Sequence, residues 1–317
     1  MNRRTERPSP GGFTLIQKRP MRRFFISCTG NMGGLESLVL CLLLLGWGNF
    51  LLSQEYPWLT AYDSTQALYR RIPAPPGFRR IKPPQDSFAR WLQHLPLKPG
   101  HPPVYLYNGK MKPNQAVHAA VVDIDVGNRD LQQCADAVIR LRAEYLYSRK
   151  AFDALHFNFT SGDRVDFSRW INGERPRVTG NQVIWQHTRQ PGSDYRNFRD
   201  YLTTIFTYAG TYSLRREMIP VKNVQDMKIG DVFIEGGFPG HAVMVVDMAV
   251  HPQTGEKVFL LAQSYMPAQD IHILKNPSDS SLSPWYPVDF GNILHTPEWT
   301  FRRSDLRRFT EPPLPSR

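Results

Sequence analysis

Cysteine is scarce in this sequence, and its scarcity limits the chemistry that the chain can support. The 317 residues hold three cysteines, and beyond residue 54 only Cys134 remains. A segment with one cysteine forms no internal disulfide, so Cys134 is predicted to be a free thiol or to pair with another chain. A buried structural side chain is the alternative, because free cysteine is among the most frequently buried residue types.

Signals for metal and nucleic-acid binding are also missing. The nine histidines show no HxxxH or HxH spacing, so a metal site would have to be assembled from scattered positions. We therefore expect no metal and no cofactor. A metal hydrolase whose ligands are scattered histidines is an alternative.

No cluster of lysine and arginine with interleaved aromatic residues occurs, which argues against nucleic-acid partners. The net charge of +11 falls to +6 outside residues 1–54, which hold seven basic and two acidic residues.

An uncharged apolar run extends from Leu38 to Leu52 and follows a basic lead. It is shorter than the ~20 residues that a membrane-spanning helix usually needs. Residues 1–54 are therefore predicted to be a signal or targeting segment, which implies export to the periplasm or the cell envelope. An uncleaved signal anchor is the alternative, and only in that case would a membrane be a partner.

The remaining chain divides by composition into a lead-in and a domain. Residues 55–103 are dense in proline and predict an extended lead-in with one short helix around residues 86–92. Residues 104–317 predict one α+β domain with an insertion around residues 150–220. Apolar periodicity predicts strands at 104–107, 117–124, 154–159, 232–234, 242–246 and 258–262, and helices at 131–145, 195–209 and 301–309.

Cys134 is predicted to lie near the start of a helix. Asp130 is the expected N-cap, because its carboxylate can accept hydrogen bonds from the next turn. The unpaired N–H groups and positive dipole end of the helix are expected to favour the thiolate over the thiol. Gln132 or Gln133 could add a side-chain amide to an oxyanion hole formed with the Cys134 backbone N–H. Ordinary solvation of the first turn is the alternative for both glutamines.

His241 opens a predicted strand and is the expected proton carrier for the thiol. Asp247 lies on the same strand face but six residues along, about 20 Å away, which is too far to orient the imidazole. Asp231 is interpreted as a turn-former before its strand rather than as a catalytic acid. Arg142 and Glu144 are expected to make structural pairs.

The third member of the site should come from the strand that follows His241. If the turn at residues 252–255 is centred between 253 and 254, His241 lies opposite Met266 and diagonal to Ser264. A register shift of one residue brings Gln263 to that face instead. We favour Gln263, whose amide can accept the imidazole N–H without ionisation, and Ser264 remains the alternative.

Two stretches resemble the papain-like superfamily, and most closely its bacterial cell-wall cysteine peptidases. They are Ile229-Gly230-Asp231-Val232-Phe233, a Gly-Asp pair before a strand, and His241-Ala242-Val243, a histidine at the head of the next strand. The resemblance implies an α+β papain-like core in which the cysteine helix packs on an antiparallel sheet. It also implies that Cys134 attacks a carbonyl, that His241 moves the proton and that Gln263 holds the imidazole.

Over most of its length the chain also resembles exported bacterial proteins of the domain-of-unknown-function family 4846, which brings no assigned reaction. The matching stretches include Arg71-Ile72-Pro73, Leu131 to Ala137, Arg140 to Leu146, Gly230 to Met248, Met266 to Gln269 and Thr296-Pro297-Glu298-Trp299. The function predicted from the residues is an exported thiol hydrolase or acyltransferase acting on an amide of the cell envelope, with peptidoglycan peptides as the first candidates. The alternative is a non-catalytic envelope module of the same fold that binds glycan or protein.

Overall fold

The computed structural model describes residues 55–311. The predictions for residues 1–54, which include the signal segment with Cys28 and Cys41, lie outside the described residues. Within the described part of the chain, no helix is both long enough and apolar enough to cross a membrane.

Helices and short strands are interspersed along the described chain. The α-helices are α1 (Leu68–Arg71), α2 (Phe88–Gln93), α3 (Cys134–Ser148), α4 (Phe167–Ile171), α5 (Tyr195–Tyr208) and α6 (Thr211–Glu217). The strands are β1 (Arg79–Arg80), β2 (His118–Val121), β3 (His156–Asn158), β4 (Arg164–Asp166), β5 (Glu174–Thr179), β6 (Gln182–His187), β7 (Ile219–Pro220), β8 (Val232–Glu235), β9 (His241–Val250), β10 (Lys257–Gln263), β11 (His272–Leu274), β12 (Tyr286–Pro287), β13 (Ile293–His295), β14 (Thr300–Arg302) and β15 (Leu306–Arg308). Most of the predicted elements are confirmed, including the short helix around residues 86–92.

A nine-stranded antiparallel sheet forms the centre of the described fold, with the strand order β2-β11-β10-β9-β8-β15-β7. Strand β1 pairs with the far end of β9, and β12 pairs with β10. The long hairpin of β9 and β10 lies in the middle, and every residue of β9 except Val250 is buried. Its run of valine, alanine and methionine suits a strand that is covered on both faces. The molecule is thus a mixed α+β fold built on a large antiparallel sheet.

Two predicted elements are wrong. Residues 301–309 were expected to form a helix, but they supply β14 and β15 instead. Pairing of β15 with β8 extends the central sheet, and this tertiary pairing outweighs the local helical spacing. The strand expected at 104–107 is replaced by isolated bridges, because the side chains of Gln115 and Asp270 take the backbone groups of Val104 and Tyr105.

The proline-rich lead-in contributes to the core of the fold. Besides β1, it supplies α2, which packs against β9. Gln93 of α2 and Arg80 of β1 both bond the buried carboxylate of Asp247, at 2.7 and 2.6 Å. Asp247 is therefore an anchor for the lead-in, which agrees with its predicted separation from His241.

Helix α3 packs on β9 and β10 and begins later than predicted. Its N-cap is Gln133, whose backbone N–H donates to Asp136 Oδ2 at 3.1 Å. Asp130 is not the N-cap, because its carboxylate is engaged by the Ala268 N–H at 2.7 Å and by the Gln133 side chain at 3.1 Å. Cys134 is consequently the first residue of the helix rather than one turn inside it.

Candidate active site

A groove of about 490 Å³ separates the start of α3 from the start of β9. Cys134 and His241, the first residues of these two elements, both line it. The two side chains lie 107 positions apart in sequence, and the packing of α3 on β9 brings them to one groove. Further walls come from Phe206, the loop at residues 237–240, Tyr265, Met266 and Trp299.

The loop at residues 237–240 approaches the cysteine closely. The Cys134 sulfur lies 4.0 Å from the carbonyl oxygen of Gly240, the residue before His241. A Cβ at position 240 would lie 2.4 Å from the Thr211 hydroxyl and 2.6 Å from the Glu235 carbonyl, so only glycine fits there. This close approach places the head of β9 against the start of α3.

Cys134 is a half-buried free thiol that lines the groove. Burial and, to a smaller extent, the nearby Asp136 side chain raise the pKa of the thiol to about 11. The N–H groups of Ala135, Ala242 and Cys134 itself act in the opposite direction, but more weakly. The N–H groups at the helix end thus favour the thiolate, as predicted, but burial outweighs them, and the net pKa shift favours the thiol.

His241 is buried among aromatic rings. Its imidazole lies 4.8 Å from the ring of Tyr265, 5.3 Å from Trp299 and 5.9 Å from Phe301, measured between ring centroids. Burial lowers the pKa of His241 to about 4, and the hydrogen bond to Gln263 opposes this shift. At neutral pH the site therefore holds a neutral imidazole and a protonated thiol.

Gln263 lies beside His241, with its Oε1 atom 3.0 Å from Nε2 of the imidazole. The register of the hairpin explains the placement. Val250 pairs with Lys257, which corresponds to the expected turn centre between residues 253 and 254. The register then shifts between Leu260 and Leu261 at a β-bulge, and this shift of one residue brings Gln263 to the face of His241.

Ser264, the alternative third residue of the site, bonds backbone carbonyls instead of His241. Its hydroxyl lies 2.9 Å from the Gln132 carbonyl and 2.8 Å from the Gln269 carbonyl. The serine is buried and ties the end of β10 to the segment that precedes Cys134.

The two glutamines before Cys134 lie in different places. Gln132 is buried outside the groove, and its Oε1 accepts from Arg140 at 2.9 Å while its Nε2 has no partner in the described structure. Gln133 lines the groove, and its side-chain amide donates to Asp130. Of the two residues predicted for an oxyanion hole, Gln133 is the one that the structure brings to the groove beside Cys134.

Beyond Gln263 lies a chain of buried contacts that sequence reasoning missed. Gln263 Nε2 donates to Glu298 Oε2 at 2.7 Å and lies 3.3 Å from His272 Nε2. Lys112 Nζ donates to the other oxygen of Glu298 at 2.6 Å. Glu298 falls in one of the stretches that resemble the family, which was an available signal, whereas nothing in the sequence marked Lys112.

No metal centre is evident in the described residues. Among residues 55–311, no group of three or more His, Cys, Asp and Glu side chains is arranged to hold a metal ion. His118 and His272 are buried and bond backbone carbonyls instead, at 3.0 and 2.9 Å.

Comparison with known proteins identifies the family. A family model described as "Domain of unknown function (4846)" matches residues 68–308. The chain belongs to this family. The region matched to family 4846 contains Cys134, His241, Gln263 and Glu298, together with the whole central sheet. No curated protein and no solved structure matches the chain.

Proposed function

We propose that the chain is an exported thiol hydrolase or acyltransferase with a papain-like core, acting on an amide of the cell envelope. One observation carries the proposal. Cys134 and His241 line the same groove, and Gln263 Oε1 holds the far nitrogen of the imidazole at 3.0 Å. Because Nε2 is engaged in this way, Nδ1 is the imidazole nitrogen that remains for proton transfer.

Because Cys134 is a neutral thiol and His241 a neutral imidazole at rest, the thiol loses its proton during its attack on the substrate. Nδ1 of His241 takes the proton from Cys134 as the sulfur bonds to the carbonyl carbon of the amide. The imidazolium then returns the proton to the amide nitrogen, the C–N bond breaks and a thioester remains on Cys134. Water completes a hydrolysis, and an acceptor amine or hydroxyl completes an acyl transfer. N–H groups at the start of α3 and the Gln133 amide are the candidate donors to the oxyanion.

The rim of the groove suggests the kind of substrate. Phe238 and Met266 are 84% and 66% exposed, which is unusual for large apolar side chains beside a polar site. Both line the groove, and no lysine or arginine of the described chain does so. Its acidic lining residues are Asp130 and Asp136, and burial raises the pKa of Asp136 well above its ordinary value. An amide substrate with apolar groups and without anionic groups next to the scissile bond fits this lining better than an anionic one. Among peptides of the cell wall, the amide bonds without a neighbouring carboxylate are therefore the first candidates.

Turnover of such peptides tests the proposal. Full-length protein is incubated with a panel of peptidoglycan peptides and glycan-linked fragments, and the products are identified by mass spectrometry. The wild-type protein should release the amine fragment from at least one of them, and Cys134→Ala and His241→Ala should release none. His295→Ala, which alters an exposed histidine outside the groove, is the matched control and should retain full activity.

A non-catalytic envelope module that binds glycan or protein is the second candidate. The protonated resting thiol and the exposed apolar rim favour it, because a binding groove needs no activated nucleophile. This module would bind fragments of the panel without cleaving them, and Cys134→Ala would bind them as tightly as wild type. Cleavage that disappears with Cys134 excludes it.

A further inference from the structure

A largely buried run of polar side chains leads from His241 toward the surface through Gln263, Glu298 and Lys112. Gln263 and Lys112 are 1% and 5% exposed, the Glu298 side chain is 14% exposed, and the three contacts that join the run measure 3.0, 2.7 and 2.6 Å. Burying polar side chains costs free energy unless all their hydrogen bonds are satisfied. We therefore expect the hydrogen bonds of this run to have a role at His241. The mechanism above uses only its first contact.

Both neighbours of the Gln263 NH2 group can only accept hydrogen bonds. Glu298 is ion-paired with the Lys112 ammonium at 2.6 Å, and its second carboxylate oxygen faces Gln263 as an acceptor. Burial lowers the pKa of His272 to about 3, so this ring is neutral and carries one proton. That proton lies on Nδ1, which is 2.9 Å from the Asp270 carbonyl oxygen, and Nε2 is left as an acceptor toward Gln263. A flipped Gln263 amide would place its oxygen against two acceptors.

The fixed amide in turn fixes the proton on His241. With its NH2 group facing Glu298 and His272, Gln263 presents its oxygen to His241 Nε2. Nε2 must therefore carry the proton, and Nδ1 keeps a lone pair. Lys112 can bond only an oxygen of residue 298, because its ammonium group is a donor. The Glu298 carboxylate has two oxygens, so it offers one to Lys112 and the other to the NH2 group of Gln263.

We propose that Glu298 and Lys112 are positioning residues that set the protonated nitrogen of His241 through Gln263. The usefulness of a free Nδ1 rests on the proposed function, but the proton position itself does not. The proposal can therefore be tested without any substrate.

Glu298→Gln is the decisive variant because it is nearly isosteric. Lys112 would hold the new amide oxygen, which turns the new NH2 group toward the NH2 group of Gln263. To relieve this donor–donor contact, the side-chain amide of Gln263 must flip, which turns its NH2 group toward His241. Nε2 of His241 then accepts this hydrogen bond, and the proton of the neutral imidazole lies on Nδ1. His272 opposes the flip, so we expect a mixed or inverted population of the two His241 tautomers.

The double variant Lys112→Met with Glu298→Gln should reverse this effect. Without the ammonium group, the amide of residue 298 is free to turn its oxygen toward Gln263, and the Nε2–H form of His241 returns. Glu235→Gln is the matched control, because Glu235 is a nearby carboxylate that accepts from Trp299 at 3.0 Å and does not contact Gln263. It should leave the His241 tautomer unchanged.

The tautomers are read from the ring-nitrogen shifts of His241 by 15N NMR of the full-length protein, with the His241→Ala spectrum for assignment. The proposal requires the Nε2–H form in wild type, a clearly smaller population of that form in Glu298→Gln and its recovery in the double variant. An Nδ1–H tautomer in wild type overturns it, and so does an unchanged tautomer in Glu298→Gln. If the peptide panel shows no cleavage but these tautomers behave as stated, the proposed function fails and the positioning inference stands.

Discussion

At the scale of single residues, burial determines the resting chemistry of Cys134 and His241. A helix N-terminus contributes about 0.3–1 kcal/mol, which is less than one pKa unit. The pKa of the Cys134 thiol nevertheless rises from the ordinary cysteine range to about 11. The resting groove therefore holds a thiol and a neutral imidazole rather than a thiolate and imidazolium pair.

Alkylation kinetics test this resting state. Because only the thiolate reacts, the rate of Cys134 alkylation by iodoacetamide should rise about tenfold per pH unit above neutrality and level off only near pH 11. The rate is followed on the peptide that carries Cys134, since Cys28 and Cys41 also react in the full chain. In denaturant the plateau should move down to about pH 8.5, the ordinary range of a cysteine. A plateau below pH 7 in the folded protein would contradict the account.

The sequence predicts which side chains lie at the groove better than it predicts their protonation states. Cys134, His241, Gln133 and Gln263 could be nominated from residue type and position, and the structure brings each of them to the groove or, for Gln263, into contact with His241. The direction of the thiol pKa shift could not be predicted, because it depends on how much protein covers the sulfur. Lys112 could not be predicted either, since it lies 186 positions from its partner Glu298.

At the scale of elements, the start of α3 depends on a buried ion pair within the helix. Arg140 and Glu144 are both fully buried, one turn apart, with a contact of 2.6 Å. Arg140 also donates to Gln132 at 2.9 Å, and Tyr195 of α5 donates to Glu144 at 2.8 Å. The pair therefore fixes the segment immediately before Cys134 and joins it to α5.

Glu144→Ala should reduce the free energy of unfolding by about 3 kcal/mol, because it removes the buried carboxylate from the Arg140 guanidinium and leaves only the exposed Asp125 carboxylate, 3.4 Å away. Chemical denaturation followed by tryptophan fluorescence measures the effect. Asp289→Ala, which breaks an exposed pair with Arg303 at 2.8 Å, is the control and should change stability little. Replacing Arg140 by Met together with Glu144 by Leu should be less destabilising than Glu144→Ala. Equal stability of Glu144→Ala and wild type would contradict the assigned role.

The hairpin of β9 and β10 shows where element prediction reaches its limit. Its turn could be located from Pro252 to Gly255, and the pairing of Val250 with Lys257 confirms the expected centre. The bulge beyond Leu260 could not be predicted, because no residue type there demands one, yet it decides which face Gln263 occupies. Strand β15 was missed for a similar reason, since its pairing with β8 depends on tertiary contacts.

At the scale of the whole molecule, the fold gathers distant segments around one groove. Helix α3 supplies the thiol, the central hairpin supplies His241 and Gln263, and the segment before β14 supplies Glu298 and Trp299. The lead-in contributes from behind through β1 and α2, which fasten Asp247 at the far end of β9. The central claim is that this assembly makes Cys134 and His241 act as one chemical unit.

Acylation of Cys134 by an activated ester tests that claim most directly. Full-length protein is mixed with p-nitrophenyl acetate, and the acetyl adduct on Cys134 is followed by mass spectrometry together with the release of nitrophenol. Wild type should form a thioester at Cys134 that then turns over. His241→Ala should acylate about 10²- to 10⁴-fold more slowly, the usual contribution of a positioned general base. Equal rates of Cys134 acylation in wild type and His241→Ala would contradict the account.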